Sequence, residues 1–465
     1  MTLKQLFAPS DMTEGRPWEK IVLFTIPMLI GNIAQQLYNT VDSIVVGRYV
    51  GDNALAAVGS AGPILNLLQV LFVGISVGAG VMVSQYFGAR QREELSKTIG
   101  NCITLTALSS IIIMVLGILG IRPLLEILGT PESIIDWCTS YLMILLLGCA
   151  GSAYYNILCG ILRGLGDSVS ALVYLLVATV INIILDVWFV ASFGLGVAGV
   201  ALATVIAQAV SAVLCIVKLG RMQEIFDLKL RHLKFTGHHA KTIIRLGLPS
   251  GLTQAIFSMA MIVVQSLTNS YGELVIAANV IIMRVDGFAM MPNFSFGTTM
   301  TTYAGQNVGA RRYDRVEQGT RQGTLLAVLT SATITGLILI FGKNLMGIFT
   351  ETDELVTLSA NMMKILAPGY IAMAVTQCLS GVMRGAGDTM TPMWISLITT
   401  VVIRVPLAYG IAFLTRTPEL PNGAYQCIWI SLLSAWVLGA IINFFFFRKG
   451  TWKKKALMAD EAAVS

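Results

Sequence analysis

Charge is what this sequence has least of. Asp, Glu, Lys and Arg make up 12% of its 465 residues, about half of the roughly 25% that a water-facing globular surface carries. That shortage excludes a cytosolic enzyme, a disordered chain and a nucleic-acid binder. Histidine is nearly missing: His232, His238 and His239 stand together in one polar stretch, so no histidine is available for a proton relay inside an apolar segment. The seven cysteines form no Cys-x-x-Cys pair, and neither disulfide staples nor a zinc site is expected. The chain has no HExxH, Asp-rich metal motif or GxxxxGK[ST] loop, which argues against an enzyme and against an ATP-driven pump. Apolar residues are abundant, at 55% hydrophobic with a mean hydropathy of +0.76. The net charge of +6 sits in short segments between long apolar runs. These features describe an integral membrane protein.

A bilayer core about 30 Å thick takes roughly 20 apolar residues in a helix. On that measure twelve spans are expected, starting near Ile21, Leu55, Ile103, Tyr141, Ala171, Val197, Ile243, Val275, Leu325, Leu366, Met393 and Tyr425. The runs are continuous and too long for the alternating strands of a β-barrel. The first run has no small-residue cleavage site ahead of it and reads as a span rather than a signal peptide. Lys and Arg set the orientation. One side collects 24 of them, from Lys4 through the central group Lys218–Arg245 to Lys455, and the other only Arg48, Arg122, Lys343 and Arg416. Both termini are therefore expected in the cytoplasm, with the chain in the cell inner membrane.

Two separate words recur at one offset. Gln85-Tyr86-Phe87-Gly88-Ala89-Arg90 matches Gln306-Asn307-Val308-Gly309-Ala310-Arg311, 221 residues on, and Arg163-Gly164-Leu165-Gly166-Asp167 matches Arg384-Gly385-Ala386-Gly387-Asp388 at the same 221. Pro27 and Pro249 pair at 222. The reading is an all-α membrane protein with twelve transmembrane helices in two six-helix bundles. Six is even, so the copies share one orientation and are related by a pseudo-twofold axis along the membrane normal, an arrangement typical of transporters. The expected organisation is an N-terminal bundle over 1–220, a basic cytoplasmic linker over 221–242, a C-terminal bundle over 243–448 and a cytoplasmic tail over 449–465.

A carboxylate at the centre of a membrane helix costs about 2.5–3.5 kcal/mol, so each one needs a reason. In the first span Asn32, Gln35, Asn39 and Asp42 form one stripe, with Tyr38 alongside. Polar glue between helices is the plain reading, but four polar residues ending in an acid exceed what packing needs. The fifth span carries Asn182 and Asp186 one turn apart, an amide and a carboxylate on one face, suited to coordinating a cation through oxygen. At the repeat offset, Asn39 and Asp42 align with Met261 and Val264, and Asn182 and Asp186 with Ile403 and Leu407. Residues kept in one copy are better candidates for chemistry than residues kept in both, so the ion site belongs to the N-terminal half. Met259, Met261, Met290, Met291, Phe257 and Phe288 in spans seven and eight suit packing first, and an adaptable pocket for flat cations second. Asn156 and its repeat partner Gln377 suit the same cavity. Arg284, Asp286 and Arg404 are charged residues within spans, and their pattern fits structure as well as function.

Leu37-Tyr38-Asn39-Thr40-Val41-Asp42, followed by Val46-Gly47-Arg48 and Ala54-Leu55-Ala56-Ala57-Val58-Gly59, resembles the MATE (multidrug and toxic compound extrusion) transporters. Both Gly-Ala-Arg words, both Arg-Gly-x-Gly-Asp words and Arg404-Val405-Pro406-Leu407 fit the same family, and the resemblance runs from about Pro27 to Phe447. It implies efflux of amphipathic, mostly cationic small molecules in exchange for H⁺ or Na⁺, without a cofactor or catalysis. Asp42, Asn182, Asp186 and Thr204 match the cation-binding positions of members with an N-terminal acid site; Thr204 enters only through the resemblance. Gln35, Tyr38, Asn39, Asn156, Met259, Met261 and Met290 are the expected substrate contacts. Some relatives carry a Glu in span seven for a second ion site, but Gln254-Ala255-Ile256-Phe257-Ser258 has no acid. The chain, surrounded by membrane lipid, is expected to work as a monomer. The nearest rival is a lipid or polysaccharide flippase, which would usually line its cavity with several cations for a phosphate-bearing substrate.

Overall fold

The computed structural model describes residues 9–127, 130–227 and 229–457, without the side chains of residues 42, 43, 52, 55, 56, 60, 63, 66–68 and 230. Among the described residues the regular structure is helical. The first half comprises α1 (Pro17–Tyr49), α2 (Asp52–Gly88), α3 (Arg92–Ile127), α4 (Glu132–Leu147), α5 (Cys149–Gly164), α6 (Ser168–Val187) and α7 (Gly196–Gly220). The second comprises α8 (Gly237–Asn269), α9 (Glu273–Gly309), α10 (Tyr313–Met346), α11 (Asp353–Leu366), α12 (Gly369–Gly385), α13 (Met390–Leu397), α14 (Arg404–Leu414) and α15 (Cys427–Lys449). A π-helical turn, Ile398–Ile403, joins α13 and α14 into one span. Among the described residues ten spans are long and apolar enough to cross a membrane, and two bent pairs, α4–α5 at 53° and α11–α12 at 45°, bring the number to twelve when each is taken as one span. The spans expected from Tyr141 and Leu366 are these bent pairs. Pro368, which brings no N–H to the helical ladder, lies at the second bend.

The duplication is written into the backbone as well as the sequence. Arg90 and Arg311, 221 apart, both take positive φ, at 56° and 58°. So do Gly166 and Gly387, at 84° and 95°. Each Arg-Gly-x-Gly-Asp word ends as a helix start: Asp167 accepts from the Ser170 amide at 2.9 Å, and Asp388 from the Thr391 amide at 3.3 Å. These aspartates satisfy amides that a helix N-terminus leaves without partners. Their recurrence is therefore architectural.

Two compact units form. The first contains residues 9–11 with Ile26–Gly251, and the second Met12–Thr25 with residues 252–457. Each unit thus takes the opening turns of the other half's leading helix, changing over near Pro27 of α1 and Pro249 of α8. Within the first unit α2 and α8 cross through Gly74, Gly78, Gly247 and Gly251, so closely that a Cβ on Gly251 would lie 2.8 Å from the Val70 carbonyl. This is small-xxx-small packing on both helices. The corresponding crossing in the second unit uses Thr25 and Thr299, whose hydroxyls are 2.8 Å apart. The second unit also binds the chain entering α1: Met12 N–H donates to Gln306 Oε1 at 2.9 Å, and Arg315 donates to the Met12 and Gly15 carbonyls.

The first unit's core includes Phe72, Tyr141, Leu146 and Val200, and the second's Met363, Tyr370, Trp429 and Trp436. The basic linker is fastened to α3. Arg92 donates to the Gln223 and Glu224 carbonyls and to Asp227, Thr104 to the Leu233 carbonyl, and the Thr236 N–H to Asn101. Arg92 beside Asp227 holds that carboxyl below its usual range.

Candidate functional site

The site grows from α6. Its Asp167 cap sets the helix phase, and Ser211 Oγ of α7 donates to the Tyr174 carbonyl at 2.9 Å, fixing α6 against α7. Asn182 and Asp186 then point into the first unit with no solvent exposure. Asn182 Nδ2 donates to Thr204 Oγ1 of α7 at 3.4 Å, and Tyr38 of α1 donates its hydroxyl to the same oxygen at 3.2 Å. Asn182 Oδ1 is buried and accepts no hydrogen bond among the described residues. A buried amide oxygen without a donor is costly, and it is a ready ligand for a cation. The side chain of Asp42 lies outside the described residues.

Thr204 also forms part of a cavity wall. A cavity of about 380 Å³ lies within the first unit, of the size that takes a small organic molecule. Gln35, Tyr38 and Asn39 of α1 line it, facing Gln69 and Phe72 of α2, Tyr155 and Asn156 of α5, and Thr204 and Gln208 of α7. Gln35 Nε2 donates to Asn39 Oδ1 at 3.5 Å, while Asn156 Nδ2 is held by the Ser152 carbonyl of its own helix at 2.8 Å. The walls thus mix amides, phenols and apolar faces, with Tyr38, Phe72, Tyr141 and Tyr155 as the rings.

Four of the seven expected substrate contacts, Gln35, Tyr38, Asn39 and Asn156, therefore meet in one cavity, which borders the Asn182–Asp186 cluster through Thr204. The other three do not line it. Met259 and Met261 lie on the second unit and are 67% and 44% exposed, and Met290 packs in that unit's core beside Val285 and Ala289. Sequence reasoning missed Gln69, Tyr155 and Gln208. Gln208 follows Thr204 by one turn, and Gln69 is an amide within an apolar run, so an inventory of every amide in the spans would have found both.

In the second unit Arg284 is exposed, whereas Arg404 is 8% exposed. Arg404 Nε and Asp286 Oδ1 are buried without hydrogen-bond partners among the described residues. The two residues act on each other electrostatically. Among the described residues no group of three or more His, Cys, Asp or Glu side chains gathers as a metal site.

A family model named MatE matches the chain twice, over residues 27–188 and 249–410. The two matches begin at Pro27 and Pro249. "Probable multidrug resistance protein YoeA" of Bacillus subtilis is 29% identical over 447 residues, covering 95% of each chain. "Probable multidrug resistance protein NorM" of Thermotoga maritima is 26% identical over 452 residues, again covering 95% of each. A solved structure described as the outward-facing conformation of a multidrug resistance MATE family transporter of the MOP superfamily superimposes with a TM-score of 0.88 at 25% identity, covering 96% of this chain and 99% of that one. With a doubled family match, near full-length relatives and a shared twelve-helix architecture, the chain belongs to the MatE family of membrane transporters.

Proposed function

We propose that this chain is a multidrug efflux antiporter of the cell inner membrane, with both termini cytoplasmic. It exports amphipathic, mostly cationic organic compounds in exchange for H⁺ or Na⁺, works as a monomer and uses no cofactor. The reading rests on one observation: Asn182, one turn from the equally buried Asp186 on α6, donates to Thr204, which lines a polar and aromatic cavity in the same unit.

In the ion-free state Asp186 and Asp42 give the first unit negative charge, which a cationic substrate in the cavity offsets. Aromatic faces add to that attraction. Entry of H⁺ or Na⁺ cancels the charge, removes the attraction and releases the substrate to the far side. For Na⁺, the Asn182 and Thr204 oxygens complete a hard-ligand shell with the carboxylates; for H⁺, one carboxylate takes the proton. Alternating access to the two sides of the membrane completes the cycle. Among the described residues the lining of the cavity is free of Lys and Arg, which favours a cationic cargo over the phosphate-bearing substrate of a flippase.

The test is efflux of a fluorescent organic cation from proteoliposomes under Na⁺ and pH gradients imposed separately. Wild type responds to one gradient, which names the coupling ion, and Asp186→Asn and Asp42→Asn lose that response. Full ion-driven efflux by a correctly inserted Asp186→Asn protein overturns the assignment.

A further inference from the structure

All seven cysteines are free and buried. Three direct their sulfur at the backbone: Cys138 at the Ala57 carbonyl, Cys149 at that of Ser110, and Cys378 at that of Gly323. Cys159 of α5 and Cys215 of α7 differ. Their Sγ atoms face each other at 4.0 Å, the one thiol–thiol pair among the described residues, and the residues are 3% and 0% exposed. Arg163, one turn beyond Cys159, acts electrostatically on both sulfurs. Lys218, three residues beyond Cys215, stands 3.6 Å from Asp167.

The distance discriminates between two chemistries. A disulfide needs sulfur atoms about 2.05 Å apart, so the pair would have to close by roughly half its separation. A metal held in line between two thiolates, with bonds of about 2.3 Å, spans about 4.6 Å. The observed 4.0 Å needs only a slight opening, which side-chain rotation supplies. We infer that Cys159 and Cys215 form a two-coordinate site for a soft monovalent cation of the cuprous or silver class, because thiolates prefer such ions.

Binding is a proton exchange with no redox change. Two S–H bonds give up their protons to water, two sulfur–metal bonds form, and the metal keeps its oxidation state. The product, two thiolates with one cation, carries one net negative charge that Arg163 is positioned to offset. Tyr155 lies one turn before Cys159, interacts with it and lines the cavity, which gives an ion a route to the sulfurs. Because α5 and α7 both supply cavity walls, a bound ion braces those walls against each other. The site stands independently of the antiport mechanism proposed above.

The experiment uses the purified full chain in detergent under reducing conditions, with cuprous ion presented as its coloured bicinchoninate complex. The expected result is transfer of one ion per chain, two sulfur neighbours in the X-ray absorption spectrum, and loss of transfer in both Cys159→Ser and Cys215→Ser. Thermal unfolding checks that the variants are folded. As a second readout that needs no variant, silver added to wild type before denaturation shields Cys159 and Cys215 from alkylation, read by mass spectrometry. Ordinary packing of two small apolar side chains predicts no stoichiometric transfer and no selective shielding. Either result, or transfer that survives in both serine variants, overturns the site.

Discussion

Replacing Thr204 by Val tests the connection between the cavity and the buried cluster. The change keeps shape and removes one oxygen that receives two hydrogen bonds, from Tyr38 at 3.2 Å and Asn182 at 3.4 Å. The two donors are affected unequally. Tyr38 lines the cavity, where water replaces the lost acceptor. Asn182 has no exposure, and stranding its amide costs about 1–3 kcal/mol. Since 1.4 kcal/mol is a factor of ten in an equilibrium, and Thr204 is itself a proposed ligand, the half-saturating Na⁺ concentration should rise roughly 5- to 150-fold. A purely proton-driven protein needs no oxygen shell and should shift less. Thr204→Ser keeps the oxygen and should stay near wild type. The assay is initial efflux rate from proteoliposomes against the concentration of the coupling ion. If Thr204→Val leaves the half-saturation point unmoved for both ions, while Asp186→Asn abolishes coupling, Thr204 has no part in the ion site.

Two further outcomes test the scaffold. Gly247→Val should lower detergent-solubilised stability by about 1–3 kcal/mol or more, because its Cβ would meet the Gly74 carbonyl, a backbone atom that cannot turn aside. Gly336→Ala, where an added Cβ meets nothing within 4 Å, should be neutral or slightly stabilising; equal thermal shifts for the two would contradict the close crossing. The linker should be released by acid. Arg92 holds the Asp227 carboxyl below its ordinary range, so its contribution is complete above the unfolded value of about 3.9 and is lost as pH falls through the lower folded value. Pepsin cleavage within 221–236 should therefore rise only below the ordinary aspartate range. Asp227→Asn should be cut readily by a neutral protease and show no acid step; an unchanged neutral digestion pattern in that variant would remove Asp227 from the fastening.

The span count, the duplication and the polar face of α6 were legible because each follows from local pattern: hydropathy over about 20 residues, repeated words, and i,i+4 spacing. The repeated words held more than repetition suggested, since Asp167 and Asp388 turned out to start helices and Gln306 to hold the chain at Met12. The cavity was half legible. Gln35, Tyr38 and Asn39 lie on one helix and announce a stripe, but their union with Gln69, Tyr155 and Gln208 depends on how four helices pack. Met290 shows the limit in the other direction. A methionine in a membrane helix reads alike in a pocket and in a core, and here Met290 is one of the buried residues of the second unit's core. The bends at Gly148 and Pro368 were also hidden, because hydropathy averages over a window and passes smoothly across them.

The exchange of opening helical turns limits how such a molecule can be taken apart. A first half produced alone would end before the stretch of α8 whose glycines fill the groove on α2, and a second half alone would be missing Thr25 as the partner of Thr299. Neither piece owns a complete interior. With both halves on one chain and the linker fastened to α3, each unit receives its borrowed turns from the same molecule.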